Sequence, residues 1–399
     1  VTETLKMLCL DIEGGYGGSS RSLYESLLHM DRACVTPEVW CRRDGPARAR
    51  YEALGISCRI ETGMPRMNSL PRFSRNLYGY TKCLLDFMRW RNAGQLVQAI
   101  EDRFDLVHFN HEGLLPLASW LRRRHGKVQT MHVRTMIPAN IFGRWQCRRM
   151  VRDSDALAFI TENERQNFDQ LSNARATGEV IYNIATPSYP APAAHEDIPC
   201  DGRLKAAVLS SFSWGRGIDR IVGIAEALAA RGRRDILFFI AGDMILSGKM
   251  PGQLGQFSRS GSSLADYAKA RGVADMIKFL GHIHDPETVL AGCDLLIKPT
   301  REANPWGRDI LEASMAAKPV ISIGHYDRFV ESGETGFLLQ EYSTEKVADI
   351  LVDLEADRAL ARRLGKKAQS RVSKLCDGKS RADDLLSLWR TAVRNRAIL

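Results

Sequence analysis

Short apolar runs without helical period alternate along this chain with longer segments whose apolar residues recur every three to four positions. In the first half, residues 5–12 (LKMLCLDI), 106–109 (LVHF), 128–131 (VQTM), 156–160 (ALAFI) and 180–182 (VIY) read as buried strands. In the second half, residues 206–209 (AAVL), 236–241 (ILFFIA), 277–280 (IKFL), 294–297 (DLLI) and 320–323 (VISI) repeat the pattern. The intervening segments predict helices. One follows residue 20 with Leu23, Leu27 and Leu28 on its apolar side. A long one over about 78–100 carries Leu84, Leu85, Met88, Leu96, Val97 and Ile100. Others cover 114–124, 218–231, a stretch around 287–291, 345–374 and 381–394. Strand and helix alternate in both halves, so the fold class is α/β with two parallel-sheet domains.

The domains join through residues 185–202 (ATPSYPAPAAHEDIPCDG), a proline-rich stretch with neither period, read as a linker. This sets a first domain at 1–184, the linker at 185–202, a second domain at 203–375 and a final helix at 376–399. Residues 244–263, rich in Gly and Ser, read as an irregular insertion.

Composition changes this picture only in part. A chain of 399 residues exceeds one ordinary core, and 44% hydrophobic with 26% charged residues is globular. No apolar run approaches the roughly 18 residues of a membrane span, and the run at 5–10 is too short and strand-like for a signal peptide. Nine scattered cysteines without C-x-x-C point to reduced thiols in a cytosolic protein. A net charge of +9 suits an anionic partner, whether nucleotide, phospholipid surface or nucleic acid.

Candidate chemistry gathers at loops after strands, where open α/β sheets bind ligands. The stretch 298–320 (KPTREANPWGRDILEASMAAKPV) follows the strand at 294–297. Asn304 and Pro305 predict a helix start, with Asn as N-cap and Pro at the first helical position. Ile310, Leu311, Ser314 and Met315 supply that helix with a buried face. Amides at the helix start, Trp306 and Gly307 among them, favour an anion such as a diphosphate. The turn at 13–20 (EGGYGGSS) lets backbone approach a phosphate or sugar closely. His108, His111 and His132 lie at or near strand ends; His108 reads as structural, and His132, directly after a strand, is the better candidate. Asp153-Ser154-Asp155 has a D-x-D pattern, but a polar turn is expected before the strand that follows it.

The succession LSSFSWGRGIDRIVGIAEAL, FFIAGD, IKFLGHIHDPETVLAGCDLLIKPT, NPWGRDILEASMAAKPVIS and ESGETGFLL resembles family 4 of the retaining nucleotide-sugar glycosyltransferases, of the GT-B fold. The likeness spans most of 205–340 in order. GGYGGSSRSL, LVHFN, the strand ending in His132 and VIYN at Asn183 resemble that family's acceptor domain. The resemblance implies two Rossmann-like domains facing across a cleft, with the last helix crossing back to the first. It implies Arg216 as the second member of a basic pair on the donor diphosphate, with uncharged Ser211 at the first position. Glu312 matches the second carboxylate of the family's Glu-x7-Glu motif, expected on the nucleotide ribose. The first, beside the reacting sugar, falls on Asn304, with Glu302 two residues away. Gly17 and Gly18 match the glycine turn under the donor phosphates, and His132 the histidine near donor sugar and leaving phosphate.

The implied activity is metal-independent retaining transfer from a nucleotide diphosphate-sugar donor to a glycan or lipid-linked hydroxyl acceptor, in polysaccharide, lipopolysaccharide or related synthesis, with no cofactor. A non-hydrolysing UDP-sugar 2-epimerase shares the fold. A non-catalytic GT-B nucleotide-binding subunit would account for Ser211 and Asn304. Nucleic acid is not expected, since no recognition motif accompanies the charge. Basic clusters (Arg122, Arg123, Arg124, Lys127; Arg144, Arg148, Arg149, Arg152) suit either an acceptor presented on an anionic leaflet or ordinary solvated helix ends. The expected location is the cytoplasm, with peripheral contact at the cytoplasmic face of the inner membrane.

Overall fold

The structure is a computed structural model. It describes the chain apart from residues 1–3, 16, 63, 68–80, 82–83, 86–87, 89–93, 188–190, 247–249, 303 and 399. Two compact units emerge: Val1–Ile184 together with Cys376–Leu399, and Ala185–Leu375.

The first unit holds a parallel sheet ordered β3-β2-β1-β4-β5-β6-β7. Its strands are β1 (Leu5–Asp11), β2 (Val35–Cys41), β3 (Ser57–Ile60), β4 (Leu106–Phe109), β5 (Val128–Val133), β6 (Ala156–Phe159) and β7 (Gly178–Val180). The central strands β4, β5 and β6 are buried along their whole length, as parallel strands covered on both faces must be. Hydrophobic pattern had not exposed β2 and β3. Pro37 interrupts β2, and it precedes Glu38–Cys41, the stretch that pairs with β3. Strand β3 is an edge whose burial alternates between exposed and half-buried, so it lacks an apolar run.

Two apolar layers cover this sheet. One gathers Trp40, Val107, Phe109, Met131, Phe159 and Phe168. The other joins Leu23 and Leu27 of helix Gly18–His29 to Leu385, Leu388 and Trp389 of the last helix, Gly378–Ile398. The final helix is therefore core to the first unit. Leu28, expected on the apolar side of its helix, is 42% exposed. The long helix expected over 78–100 lies largely outside the described residues. Leu84, Leu85 and Met88 are exposed, and helix Gly94–Arg103 buries Ile100.

The second unit holds a parallel sheet ordered β10-β9-β8-β11-β12-β13. Its strands are β8 (Leu204–Leu209), β9 (Ile236–Ala241), β10 (Ile277–Gly281), β11 (Leu295–Lys298), β12 (Val320–Ile323) and β13 (Gly336–Leu339). Residues 244–263 are not wholly irregular: helix Gly252–Arg259 buries Leu254 there. Helix Leu264–Ala270 follows, started by a capping box between Ser263 and Asp266. The segment read as one helix at 345–374 is two, Thr344–Ala356 and Arg358–Leu375, broken at Asp357. Residues 185–202 contain no helix or strand among the described residues, yet they dock on the second unit. His195 donates its amide to the Thr288 carbonyl at 3.0 Å, and Ile198 packs where a Cβ on Gly292 would come within 2.9 Å.

In both sheets the strand order reverses beside the first strand, between β1 and β4 and between β8 and β11. The loops after these strands leave toward opposite faces, and a crevice opens between them. In the first unit Gly14 makes the turn out of β1. Its φ is +101°, and a Cβ there would stand 2.0 Å from the Arg43 carbonyl oxygen. Gly17 has φ −81° and open space where a Cβ would go. Gly14→Ala is therefore expected to cost about 1–3 kcal/mol or more, while Gly17→Ala leaves stability unchanged. Thermal and urea unfolding of the two variants checks the contrast.

Candidate functional site

In the second unit, β8 runs into a turn that Ser213 organises by accepting the Arg216 amide. Gly217 closes the turn at φ +69°, and a Cβ there would lie 2.1 Å from the Pro299 carbonyl. Arg220 donates to the Pro299 and Thr300 carbonyls at 3.1 and 2.8 Å. Arg301 makes a bidentate pair with Asp219 at 2.7 and 2.6 Å and lies 3.6 Å over the Trp214 ring. The loops after β8 and β11 are thus bound to each other through backbone carbonyls and one planar ion pair. Neither Arg220 nor Arg301 stood out in the sequence, because their partners are mostly carbonyl oxygens brought close only by the fold.

Arg216 is exposed at the rim of this crevice. It donates to Ser210 Oγ at 2.9 Å and forms no ion pair with a described residue, so its charge is available to an anion. Ser211 accepts the Asp243 amide at 3.1 Å, which ties the end of β9 to the turn and adds no charge.

The helix after β11 begins later than the sequence suggests. It spans Arg308–Met315, its N-cap is Gly307 at φ +135°, and no side chain caps it. Asn304 is not the cap; its amide oxygen accepts from Thr300 Oγ1 at 2.7 Å. The reason is Lys298. Its ammonium donates to the Trp306 carbonyl at 2.7 Å and to Asp309 Oδ1 at 2.9 Å, holding 304–307 as a loop. A Cβ on Gly307 would come within 2.8 Å of both Lys298 Nζ and Asp309 Oδ1. Trp306 is buried, edge-on to Tyr326, and anchors the loop by its ring. Glu312 pairs with Arg308 at 3.3 Å across one helical turn, both side chains largely buried. The helix start and Arg216 are both carried by loops leaving the β8–β11 switch point.

In the first unit, Gly17 and Gly18 begin helix Gly18–His29, again without a side-chain cap. Beneath them Asp11 is fully buried, accepting from Ser20 Oγ at 2.9 Å and the Glu13 amide at 3.2 Å; burial pushes its carboxyl up. His132 lies within β5 rather than after it. Its ring Nδ1 is 3.1 Å from Nε2 of His108. Burial, with the Arg134 charge second, pushes His108 down to about 3 and His132 well below the ordinary histidine range. His111 accepts the Gly113 amide at 2.9 Å and shapes a turn.

Arg134 is the residue that sequence reading missed here. Its guanidinium reaches the Asn110 carbonyl at 2.7 Å, Asn110 Oδ1 at 2.5 Å and Asn183 Oδ1 at 3.1 Å. Asn110 ends LVHFN and Asn183 ends VIYN, so the signal was present as two asparagines after strands. Asp153 and Asp155 are structural. Arg122 grips Asp155 at 2.8 and 2.9 Å, and Asp153 accepts from Ser119 and pairs with Arg149. Among the described residues no group of three or more His, Cys, Asp or Glu gathers as a metal site.

Comparison with known proteins decides the family. The model described as Glycosyltransferase Family 4 matches residues 16–188, and Glycosyl transferases group 1 matches residues 197–371. The chain belongs to the family 4 glycosyltransferases of GT-B fold. It is 22% identical over 268 residues to an alpha-D-kanosaminyltransferase of Streptomyces kanamyceticus, a match covering 62% of this chain and 63% of that one. It is 30% identical over 102 residues to an N-acetyl-alpha-D-glucosaminyl L-malate synthase of Bacillus anthracis, covering 25% and 26%. The chain thus spans less than two thirds of the length of these curated relatives. Among solved structures, Anabaena HepE in complex with UDP superposes with a TM-score of 0.72 at 20% identity, covering 97% of this chain and 100% of that chain. Sucrose-phosphate synthase from Thermosynechococcus elongatus superposes at 0.70 with 16% identity, covering 97% and 98%. These likenesses show the fold.

The buried histidines of this glycosyltransferase-family chain carry a pH signature. A histidine with a depressed folded pKa withholds a proton that the unfolded chain binds. The stability it contributes is present above about pH 6.5 and is lost as pH falls toward the folded value. His108, His132 and His125 (pushed down to about 4 by burial) act in this direction. Asp11, with its raised carboxyl, acts oppositely at lower pH. The ring-proton resonances of His108 and His132 are expected to stay flat between pH 8 and 5, while the urea midpoint falls between pH 6.5 and 5.

Proposed function

We propose that the protein transfers a sugar, with retention of anomeric configuration, from a nucleotide diphosphate-sugar to a hydroxyl of a glycan or lipid-linked acceptor. The observation that carries this is the second unit's switch point, where Arg216, without an ion pair among the described residues, and a helix start without a side-chain cap stand on loops leaving the same crevice. Arg216 and the amides at the start of helix Arg308–Met315 would hold the departing diphosphate. Glu312 would accept from the ribose hydroxyls, its carboxylate kept in place by Arg308. His132 would contact the donor sugar or leaving phosphate, and Gly17 and Gly18 leave backbone open to it. In the reaction the C1–O bond to phosphate breaks and the acceptor oxygen bonds C1 from the same face. The acceptor proton passes to the departing phosphate oxygen. Stabilising that oxygen is the main contribution the chain makes. HepE, a structural relative, was crystallised with UDP-glucose, and this supports a nucleotide-sugar donor. A lysine or arginine with helix amides neutralises a diphosphate without a divalent metal, so turnover in EDTA is part of the reading.

Residues 141–153 support an acceptor at a membrane surface. Helix Ile141–Asp153 exposes Ile141 (77%), Phe142 (48%) and Trp145 (50%) beside exposed Arg144 and Arg148, and its one carboxylate, Asp153, is buried. Apolar and cationic side chains on one exposed helix fit an anionic leaflet. Ser211 and Asn304 favour a second reading, a nucleotide-binding subunit without turnover, since neither supplies the charge kept by the family.

With a panel of nucleotide sugars, Arg216→Ala and His132→Ala are expected to lower kcat by roughly 10²–10³ with the fold intact. Glu312→Gln is expected to raise the donor KM chiefly. Donor binding without turnover in the wild type would establish the second reading instead. In co-sedimentation with vesicles containing anionic lipid, binding at low salt is expected to fall in the I141S/F142S/W145S variant. Absence of any wild-type binding would remove the membrane surface from the account.

A further inference from the structure

The last helix places an indole against the histidine pair of the first unit. Trp389 Nε1 donates to His108 Nδ1 at 3.3 Å, with ring centroids 5.2 Å apart. Thr130 Oγ1 lies 2.9 Å from the same nitrogen, and His108 Nε2 lies 3.1 Å from His132 Nδ1. His108 and Trp389 are fully buried, and His132 is 4% exposed. Thr130 is the register partner of His108 across β4 and β5, and His132 follows on the same face of β5.

An indole N–H can only donate. His108 Nδ1 must then be an acceptor, and the Thr130 hydroxyl donates to it as well. A neutral His108 consequently carries its proton on Nε2 and donates to His132 Nδ1. That contact makes His132 Nδ1 an acceptor in turn, so its own proton lies on Nε2. His132 Nε2 has no hydrogen bond to a described residue, and it is the atom left to meet a ligand. With the opposite tautomers the His108–His132 bond would merely reverse, but His108 Nδ1–H would face the indole N–H of Trp389 in a buried contact.

We propose that Trp389 and His108 are positioning residues that fix His132 as a neutral Nε2–H donor, aimed at an oxygen of the donor sugar or departing phosphate. The inference rests on the proposed role of His132 in transfer. It excludes His132 Nε2 from acting as a general base, and it ties the final helix to the chemistry of the first unit. The device works through proton position alone: Trp389→Phe keeps the ring but removes the donor. His108 is then free to turn its proton to Nδ1 and donate to Thr130 Oγ1. His132 would respond by carrying its proton on Nδ1 and presenting a lone pair at Nε2. Removing the Thr130 acceptor in addition, with Thr130→Val, leaves His108 only its Nε2–H bond to His132 and restores the original arrangement.

The test is long-range ¹⁵N–¹H correlation NMR of histidine-labelled full-length protein, which reads the tautomer of each ring directly, alongside steady-state kinetics. In the wild type, His108 and His132 are both expected as Nε2–H. W389F is expected to switch both to Nδ1–H and to lower kcat roughly ten- to a hundredfold, the worth of one hydrogen bond to a charged group, with donor KM little changed. W389F/T130V is expected to recover both the tautomer and most of kcat, which a merely structural loss would not do. Nδ1–H on His132 in the wild type would overturn the relay, whatever the protein's activity. A switched tautomer in W389F with unchanged turnover would remove the positioning role. If His132→Ala retains full transfer while the wild-type tautomers are as stated, the role assigned to His132 fails and the relay stands. If W389F does not fold, wild-type spectra and T130V, expected to keep Nε2–H on both rings, still decide.

Discussion

Parallel strands can be joined only by crossovers, and the crossovers on either side of the first strand of each sheet leave to opposite faces. That constraint opens a crevice beside β1 and another beside β8, and the loops that carry Gly17, Arg216 and the start of helix Arg308–Met315 leave from these points. The loops at such a point carry few backbone ladder bonds of their own. They are held here by side chains acting on carbonyls: Arg220 on Pro299 and Thr300, Lys298 on Trp306, Arg134 on Asn110. A guanidinium or ammonium satisfies several acceptors at once and so fixes loops that cannot pair as strands.

The same bonds separate cations that build the site from those left to meet a ligand. Arg301 is matched to Asp219, Lys298 to Asp309 and Arg308 to Glu312. Among the described residues Arg216 is held only by neutral oxygens. A surplus positive charge and a helix start without a side-chain cap, on loops leaving one switch point, suit a phosphate-bearing ligand, and Arg301, Lys298 and Arg308 there are internally neutralised. In the first unit the balance differs. Two buried histidines stay neutral near Arg134, and the order of donors and acceptors around them matters more than charge.

The strand runs LVHF, ILFFIA and VISI were legible because strands buried on both faces need continuous apolar side chains. Strand β3 was not, because an edge strand half open to water has no such requirement. Arg216 and Glu312 could be nominated only through the resemblance to family 4, whose ordered motifs assign them positions; no local pattern singled them out. The helix start at Asn304 could not be read correctly. Asn-Pro is a sound local cap signal, but Lys298 and Asp309, eleven residues apart, win over it by closing a half-buried ion pair around Gly307.

Local pattern therefore determined that this chain alternates strands and helices in two parallel sheets, and which loops follow the strand ends. Periodicity and turn residues act over a few positions and survive without the rest of the fold. Tertiary structure alone decided which arginines keep a free charge, where the helix after β11 begins, and that Trp389 meets His108. Those depend on groups 11 to 281 positions apart, from Lys298 with Asp309 to Trp389 with His108. No local signal marks such pairs, because the energy that selects them exists only once both groups are buried together.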